Sequence, residues 1–223
     1  MRSSLLISAG LALCAASSVH ADIMYLTQER TIEAATTANA ALLTQSAPDF
    51  APFLATLTSS TTFQTPTGPA TNTGETTIDC QLDPNAIRAN GSLTGAGGLN
   101  ISGQLEAGEA AAFILVTFNI TEAIPFNLLC TPRPSSDPRD EFEIELTNLT
   151  TTTNIFSLTQ DEPAQAVNVN GILQPGTYSL QFQVEMTVET LQSTQAFDFQ
   201  FLVPSPAGAT LLAAAPLLRR RRR

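Results

Sequence analysis

The segment Tyr178-Ser-Leu-Gln-Phe-Gln-Val-Glu-Met-Thr-Val-Glu189 decides the fold class of this chain. Its apolar residues recur at every second position from Leu180 to Val188, and polar residues stand between them. A period of two places one face of a β-strand against a core and the other face in water. Glu141 to Leu149 and Phe197 to Phe201 repeat the pattern. The carboxylates of these segments therefore fit a solvated sheet face rather than a catalytic array.

A continuous apolar run, Ala111 to Ile120, predicts a central strand that is covered on both faces. Asn170-Gly171 predicts a two-residue hairpin, and Pro175-Gly176 predicts a type II turn. Short alternating runs separated by Gly, Pro and Asn are typical of sandwiches. We therefore predict an all-β fold, an antiparallel two-sheet β-sandwich that is jelly-roll-like.

The first third of the domain gives weaker signals. The segment 30–43 suits a helix or a strand of small residues. Phe50, Phe53, Leu54 and Leu57 follow helical spacing, which predicts one short helix near 49–57. Residues 58–77 are rich in Thr, Ser, Pro and Gly and predict a flexible loop, and 131–140 predicts a second one.

Residues 1–21 have the layout of a signal peptide. Arg2 precedes an apolar run, and Val19-His20-Ala21 places small residues at the −3 and −1 positions that a signal peptidase accepts. We expect cleavage between Ala21 and Asp22, and hence export.

The other end combines three features. Val203, Pro204, Ser205 and Pro206 lead into a small, apolar stretch that ends in five arginines: Arg219, Arg220, Arg221, Arg222 and Arg223. This order resembles the PEP-CTERM sorting signal, in its Pro-Ser-Pro variant, that exosortases process. The resemblance implies an exosortase-type processing enzyme as a partner, an inner-membrane intermediate, and a final location at the cell surface or outside the cell. Twelve helical residues span about 18 Å, less than the roughly 30 Å hydrocarbon core, so we expect the membrane contact to be transient.

The chain thus divides into a signal peptide, 1–21, a β-sandwich domain, 22–202, and a C-terminal sorting signal, 203–223. All 20 acidic residues lie in the domain, which keeps four of the ten basic residues, so its net charge is 4 − 20 = −16. Such a surface repels nucleic acid and anionic membranes, and we expect no nucleic-acid partner.

The composition also limits the chemistry. The single histidine, His20, belongs to the predicted signal peptide, and the chain has no lysine. The domain therefore lacks the histidine of a Ser-His-Asp triad or of a His-ligated metal site. Carboxylate chemistry remains open, but we predict that the protein is not an enzyme and assign no catalytic, cofactor-binding or metal residue. Asp137, Asp140 and Glu141 have the oxygen ligands that calcium prefers, without the spacing of a known calcium loop.

Cys80 and Cys130 are the two cysteines of the domain. In an oxidising compartment an even pair usually forms a disulfide, so these two are a candidate disulfide. Two buried free thiols are the alternative.

The layout is similar to that of planctomycete-type PEP-CTERM proteins. Four segments carry the resemblance: an opening strand with Arg30, Asp49 to Phe53, Ile87 to Ser92, and Leu173 to Tyr178. It implies a β-rich fold and a shared export route, and supplies no catalytic residue. From all this we expect an exported, non-enzymatic structural or adhesive protein of the cell surface or extracellular matrix, with surface proteins or extracellular polysaccharide as partners. The alternative is a carbohydrate-binding module.

Overall fold

The computed structural model describes residues 22–37, 42–133, 141–160, 166–189 and 191–203, and within them every regular element is a β-strand. The strands are β1 (Met24–Thr36), β2 (Leu43–Ser46), β3 (Phe53–Thr65), β4 (Gly68–Asp83), β5 (Ala86–Leu99), β6 (Leu105–Glu106), β7 (Gly108–Ile120), β8 (Ile124–Arg133), β9 (Glu141–Asn148), β10 (Thr153–Gln160), β11 (Val167–Leu173), β12 (Gly176–Val188) and β13 (Leu191–Leu202).

The strands form two antiparallel sheets. The first sheet has the order β10-β9-β12-β7-β1-β2, and the second has the order β11-β8-β13-β5-β4-β3, with the short β6 paired to β5. Most connections after β5 pass from one sheet to the other. The predicted two-sheet sandwich is confirmed.

The core lies between the two inner faces, where aromatic rings from opposite sheets meet. Phe182 of β12 contacts Phe199 and Phe197 of β13, with ring centroids 4.9 Å and 5.1 Å apart. Phe118 of β7 contacts Phe201 at 5.5 Å. Because these residues stand at alternate positions, the strand periodicity seen in the sequence delivers all of them to one core.

The predicted helix near 49–57 and the predicted flexible loop at 58–77 are both wrong. Phe53 begins β3, which forms a regular hairpin with β4. Phe53 is buried whereas Leu54 is 79% exposed, as expected for a strand. The threonine-rich composition that resembled a loop supplies β-branched side chains, which favour strands. For the segment 30–43, the strand alternative is correct as far as Thr36, where β1 ends.

Two expectations about strand ends also need correction. Asn170-Gly171 lies inside β11 instead of forming a hairpin, because this stretch pairs without interruption with β8. Pro175-Gly176 does lie at a connection, between β11 and β12. The predicted loop at 131–140 is wrong for its first three residues, since β8 continues to Arg133; residues 134–140 lie outside the described part of the chain.

The two sheets come into backbone contact near β4 and β7. A Cβ atom built on Gly74 would lie 2.1 Å from the carbonyl oxygen of Glu109, and one built on Gly108 would lie 1.8 Å from that of Thr73. Here the absence of a side chain is a steric requirement. The sheets are also joined by a hydrogen bond of 2.6 Å from the Thr76 hydroxyl to the carbonyl of Glu33.

A buried arginine ties this region to the crossover between the sheets. Arg30 of β1 is 0% exposed. Its guanidinium donates to the carbonyl oxygens of Cys80 at 3.3 Å, Ala51 at 2.8 Å and Asp49, and its Nε donates to Oε1 of Gln28 at 2.8 Å. Arg30 therefore joins the first sheet, the second sheet and the segment between β2 and β3.

The acceptors of Arg30 carry no negative charge. Each is a neutral oxygen, and the ring of Phe53 lies 5.8 Å from the guanidinium carbon. Carbonyl dipoles and an aromatic face compensate the buried charge. Removing the guanidinium would leave the buried carbonyl of Cys80 and three partly buried oxygens without this donor, which is costly.

We predict that Arg30→Met lowers the free energy of unfolding by about 1.5–3 kcal/mol, the range typical for loss of hydrogen bonds made by a charged group. Arg30→Lys should fall between Met and Arg, because an ammonium group cannot reproduce the guanidinium fork. Urea unfolding would measure both.

Arg88→Met is the matched control. Arg88 pairs with Asp83 at 2.6 Å, but its side chain is 45% exposed. Its loss should cost less than about 1 kcal/mol. Equal effects of the two methionine substitutions would contradict the role given to Arg30.

Candidate functional site

The outer face of the first sheet carries the densest group of carboxylates among the described residues. Glu109 of β7, Glu29 and Glu33 of β1 and Glu185 of β12 share this face with three glutamates of β9, Glu141, Glu143 and Glu145. Glu33 and Glu185 stand directly opposite Ala111 on its two sides, about 10 Å apart between their Cα atoms by strand spacing. We call this surface the acidic face.

Amide and hydroxyl groups separate these carboxylates. The Gln181 amide donates to Glu143 at 3.1 Å, and the Gln183 amide donates to Glu185. Glu145 accepts from Thr147 at 2.6 Å and from Asn154 at 3.1 Å. On this face, neutral amide and hydroxyl groups therefore donate the hydrogen bonds that cationic side chains supply to carboxylates on most acidic surfaces.

Two shallow depressions lie in the acidic face. The larger, of about 210 Å³, is lined by Glu29, Thr31, Glu33, Phe113, Gln183 and Glu185, with the backbone of β7 as its floor. Its neighbour, of about 120 Å³, lies beside Ala111 and Glu109 and includes Leu42. Phe113 is the aromatic side chain of the larger depression, and carboxylate and amide groups surround it.

The sequence did not predict the Phe113 depression. The apolar run Ala111 to Ile120 predicted a strand covered on both faces, but β7 alternates strictly between buried and half-buried residues. Phe113 and Leu115 therefore reach the surface. The available signal was in the neighbouring strands, since β12 presents Gln183 and Glu185 beside the apolar residues of β7.

This arrangement suits recognition of a neutral, hydroxyl-rich ligand. Carboxylates and amides supply acceptors and donors for hydroxyl groups, and an aromatic ring offers an apolar platform. Among the described residues, no three acidic, cysteine or histidine side chains are placed to hold a metal ion.

The residues of the two predicted terminal signals are mostly outside the described part of the chain. This applies to Ala21, to Pro204, Ser205 and Pro206, and to the five terminal arginines. Asp22 is exposed at the start of the domain. Val203 is fully buried, and its amide donates to the carbonyl of Asn85 at 2.9 Å. Within the ranges described, no helix is long and apolar enough to cross a membrane.

The candidate calcium ligands are not assembled by the described structure. Asp137 and Asp140 fall in the gap before β9, and Glu141 stands on the acidic face at the start of that strand.

The structure does not bring Cys80 and Cys130 together. Both thiols are free and buried. In the second sheet, Cys80 pairs with Ala89, Ala89 with Phe199, and Phe199 with Cys130. Three strand spacings amount to about 14 Å, twice the greatest Cα separation that a disulfide allows. The predicted disulfide is therefore not formed, and the alternative of two buried thiols describes the structure.

Burial raises the pKa of both thiols, to about 11 for Cys80 and to about 12 for Cys130. The unfolded chain ionises its thiols near pH 8.5, so the folded state holds these protons more tightly. This contribution to stability is complete below pH 8.5 and is lost as the pH rises towards 11–12.

We predict that the free energy of unfolding falls by up to about 2 kcal/mol per thiol between pH 8 and pH 10. Tyr25 and Tyr178, whose pKa values are also raised by burial, add to the decline mainly above pH 10. Chemical unfolding across this range would measure it, with Cys80→Ala/Cys130→Ala as the control that should lack the decline below pH 10. A mass lower by two hydrogen atoms in the unreduced chain than in the reduced chain would instead reveal a disulfide and overturn this account.

Comparison with known proteins gives a weak structural likeness and no sequence match. No protein-family model matches the sequence, and no curated protein matches it. Among solved structures, the chain is similar to the enzymatically active domain of tailspike protein 4 of bacteriophage CBA120, with a TM-score of 0.27 and 10% sequence identity. That match covers 67% of this chain and 19% of the tailspike chain. A likeness at this level carries no information about the activity of this protein.

Proposed function

We propose that this protein is an exported, non-enzymatic structural or adhesive component of the cell surface or extracellular matrix. It is exported through the signal peptide at 1–21 and sorted by an exosortase-type enzyme that acts on the segment 203–223. The inner-membrane form is an intermediate in this route.

The limits of the strand framework support this proposal. The first paired residue of β1 is Met24, and the last residue of β13 is Leu202. The expected cleavage after Ala21 and processing beyond Val203 would therefore remove no strand. A domain that fits between two processing signals keeps its whole core after both are cut.

The charge and hydrogen bonding of the surface are consistent with an extracellular location. The domain has a net charge of −16, and Arg88 and Asp83 form an exposed ion pair on it. On the acidic face, amides and hydroxyls donate hydrogen bonds to the carboxylates. Such a surface stays soluble and resists non-specific association with anionic polymers.

Intact mass and cell fractionation of the protein from its own host test the proposal. We expect a species that begins at Asp22 and lacks Arg219 to Arg223, found at the surface or in the medium. Pro204→Ala/Pro206→Ala should retain the arginine cluster in the inner-membrane fraction, whereas Pro216→Ala, a proline outside the tripeptide, should be processed normally. A wild-type chain that keeps its C-terminus in the inner membrane would contradict sorting.

A second candidate function is carbohydrate binding, and the Phe113 depression is the observation that favours it. An aromatic ring flanked by Gln183, Thr31 and glutamates can stack on a sugar ring while its hydroxyls are hydrogen-bonded. The surrounding carboxylates repel uronic acids and sulfated sugars, so the ligand class would be a neutral polysaccharide.

A glycan array followed by calorimetry tests this candidate. We expect Phe113→Ala to weaken binding of a neutral glycan by about tenfold or more, since loss of an aromatic contact costs on the order of 1 kcal/mol beyond the area lost. Leu115→Ala is the matched control, because Leu115 lies on the same strand and face but outside the depression. If no glycan on the array binds, or if the two variants bind equally well, carbohydrate binding at the Phe113 depression is contradicted and only the structural role remains proposed.

A further inference from the structure

The four edge strands of the sandwich differ in how they are protected. Natural proteins blunt sheet edges with short strands, bulges, prolines or charges. β2 has four residues, β10 is interrupted by a register shift between Asn154 and Phe156, and β11 has only seven residues. β3 has 13 residues in unbroken register with β4 and contains no charged residue, proline or glycine. It is the least protected edge in the described structure.

The geometry of the β3–β4 hairpin determines which groups of β3 are free. Thr65 and Gly68 close a two-residue turn, so the odd-numbered residues of β3 exchange hydrogen bonds with β4. The even-numbered residues direct both their N–H and C=O groups outward. Gln64 confirms this direction, because its carbonyl accepts from the amide of Ile101 at 2.7 Å rather than from β4.

The five even-numbered residues from Leu54 to Thr62 remain open at this edge. Within the described ranges, β3 pairs with β4 alone, and no backbone group of another segment reaches these five. Their side chains, Leu54, Thr56, Thr58, Ser60 and Thr62, are all exposed. The edge is therefore a free strand template about nine residues long.

Charge decides which partner can approach this edge. The domain carries a net charge of −16, so most orientations of two copies repel. On β4, one strand inward, the carboxylates opposite the open stretch are Asp79 and Glu75, which pair with Leu54 and Thr58. If two β3 strands paired, the two Glu75 residues would be three strand spacings apart, about 14 Å, beyond the roughly 8 Å screening length at physiological salt.

We propose that β3 is a self-association edge, at which a second copy of this chain adds its own β3 in antiparallel orientation. The two-fold axis passes through Thr58, because that register alone uses all five open residues of both copies. Thr58 then faces its own equivalent, Thr56 faces Ser60, and Leu54 faces Thr62. Paired threonine and serine hydroxyls across strands add to the backbone ladder.

The inference does not depend on the proposed cellular location, since it rests only on the edge of the folded domain. It assigns the exposed hydroxyl row of β3 a role that neither the sorting signal nor the acidic face provides. Pairing of the two β3 strands joins the second sheet of one copy to the second sheet of the other, so that one continuous sheet runs through both copies.

A charge-swap pair tests both the surface and the register. In Thr56→Lys/Ser60→Lys the proposed pairing sets lysine opposite lysine at two places, whereas in Thr56→Lys/Ser60→Glu it sets lysine opposite glutamate at both. Sedimentation velocity of the full chain over a wide concentration range should show dimers for the wild type and for the Lys/Glu variant. The dimer of the Lys/Lys variant should be about tenfold weaker or more.

Thr58→Pro and Thr58→Val provide a second, independent test. The amide of Thr58 points away from β4, so proline removes an edge donor without removing a ladder bond, and valine keeps that donor. Only the proline variant should be monomeric, with circular dichroism confirming that both are folded. Added salt should strengthen the wild-type dimer. A monomeric wild type at all concentrations, or equal dimerisation of the Lys/Lys and Lys/Glu variants, would overturn the proposal.

Discussion

A charged guanidinium held between two sheets by neutral oxygens is the constraint on which the rest of this structure depends. Arg30 gathers the carbonyls of Cys80, Asp49 and Ala51 around one side chain. Isolated buried charges are expensive, so the surrounding backbone has to stay in place to keep the arginine satisfied. That requirement fixes the crossover from β2 to β3, and with it the position of β3 at the edge of the second sheet.

Segments that look unrelated in the sequence meet at this point. Arg30 and the stretch Asp49 to Phe53 were two separate parts of the resemblance to planctomycete-type proteins, and the structure joins them in one hydrogen-bonded cluster. Tyr178, from a third part, places its hydroxyl 2.5 Å from the carbonyl of Gln174 and so holds the turn that opens β12. Arg30, the stretch Asp49 to Phe53 and Tyr178 therefore have structural roles at connections between the sheets.

The strands β9, β12 and β13 were predictable because apolar and polar residues alternate along each of them, and this local pattern shows which side chains are buried. The helix expected at 49–57 and the loop expected at 58–77 were wrong because β3 forms a hairpin with β4, and neither the spacing of the apolar residues nor the threonine-rich composition indicates that pairing. Leu54 and Leu57 fit a helical period by chance, and the threonine-rich composition is compatible with a loop although threonine favours sheets. The Phe113 depression depends on three strands that are distant in sequence, so only the register shows that glutamates surround an aromatic ring. Cysteine counting failed for the same reason, since strand order separates Cys80 from Cys130.

The two outer faces have different chemistry. The first sheet presents glutamates separated by amides, with one aromatic depression, and the second presents threonine and serine rows that reach a free edge. The acidic face suits contact with a neutral polymer, whereas the β3 edge of the second sheet is where we propose contact with an identical molecule.

The state of the Arg30 guanidinium tests the central claim most directly. Nitrogen-15 NMR resolves the side-chain groups of the four domain arginines, Arg30, Arg88, Arg133 and Arg139. The account predicts that one of them, assigned through Arg30→Lys, shows slowly exchanging protons and separate, non-averaged Nη signals, because its N–H groups are buried and hydrogen-bonded. Four arginines with the same fast exchange would contradict it, since Arg30 would then be in contact with water and could not hold the two sheets together.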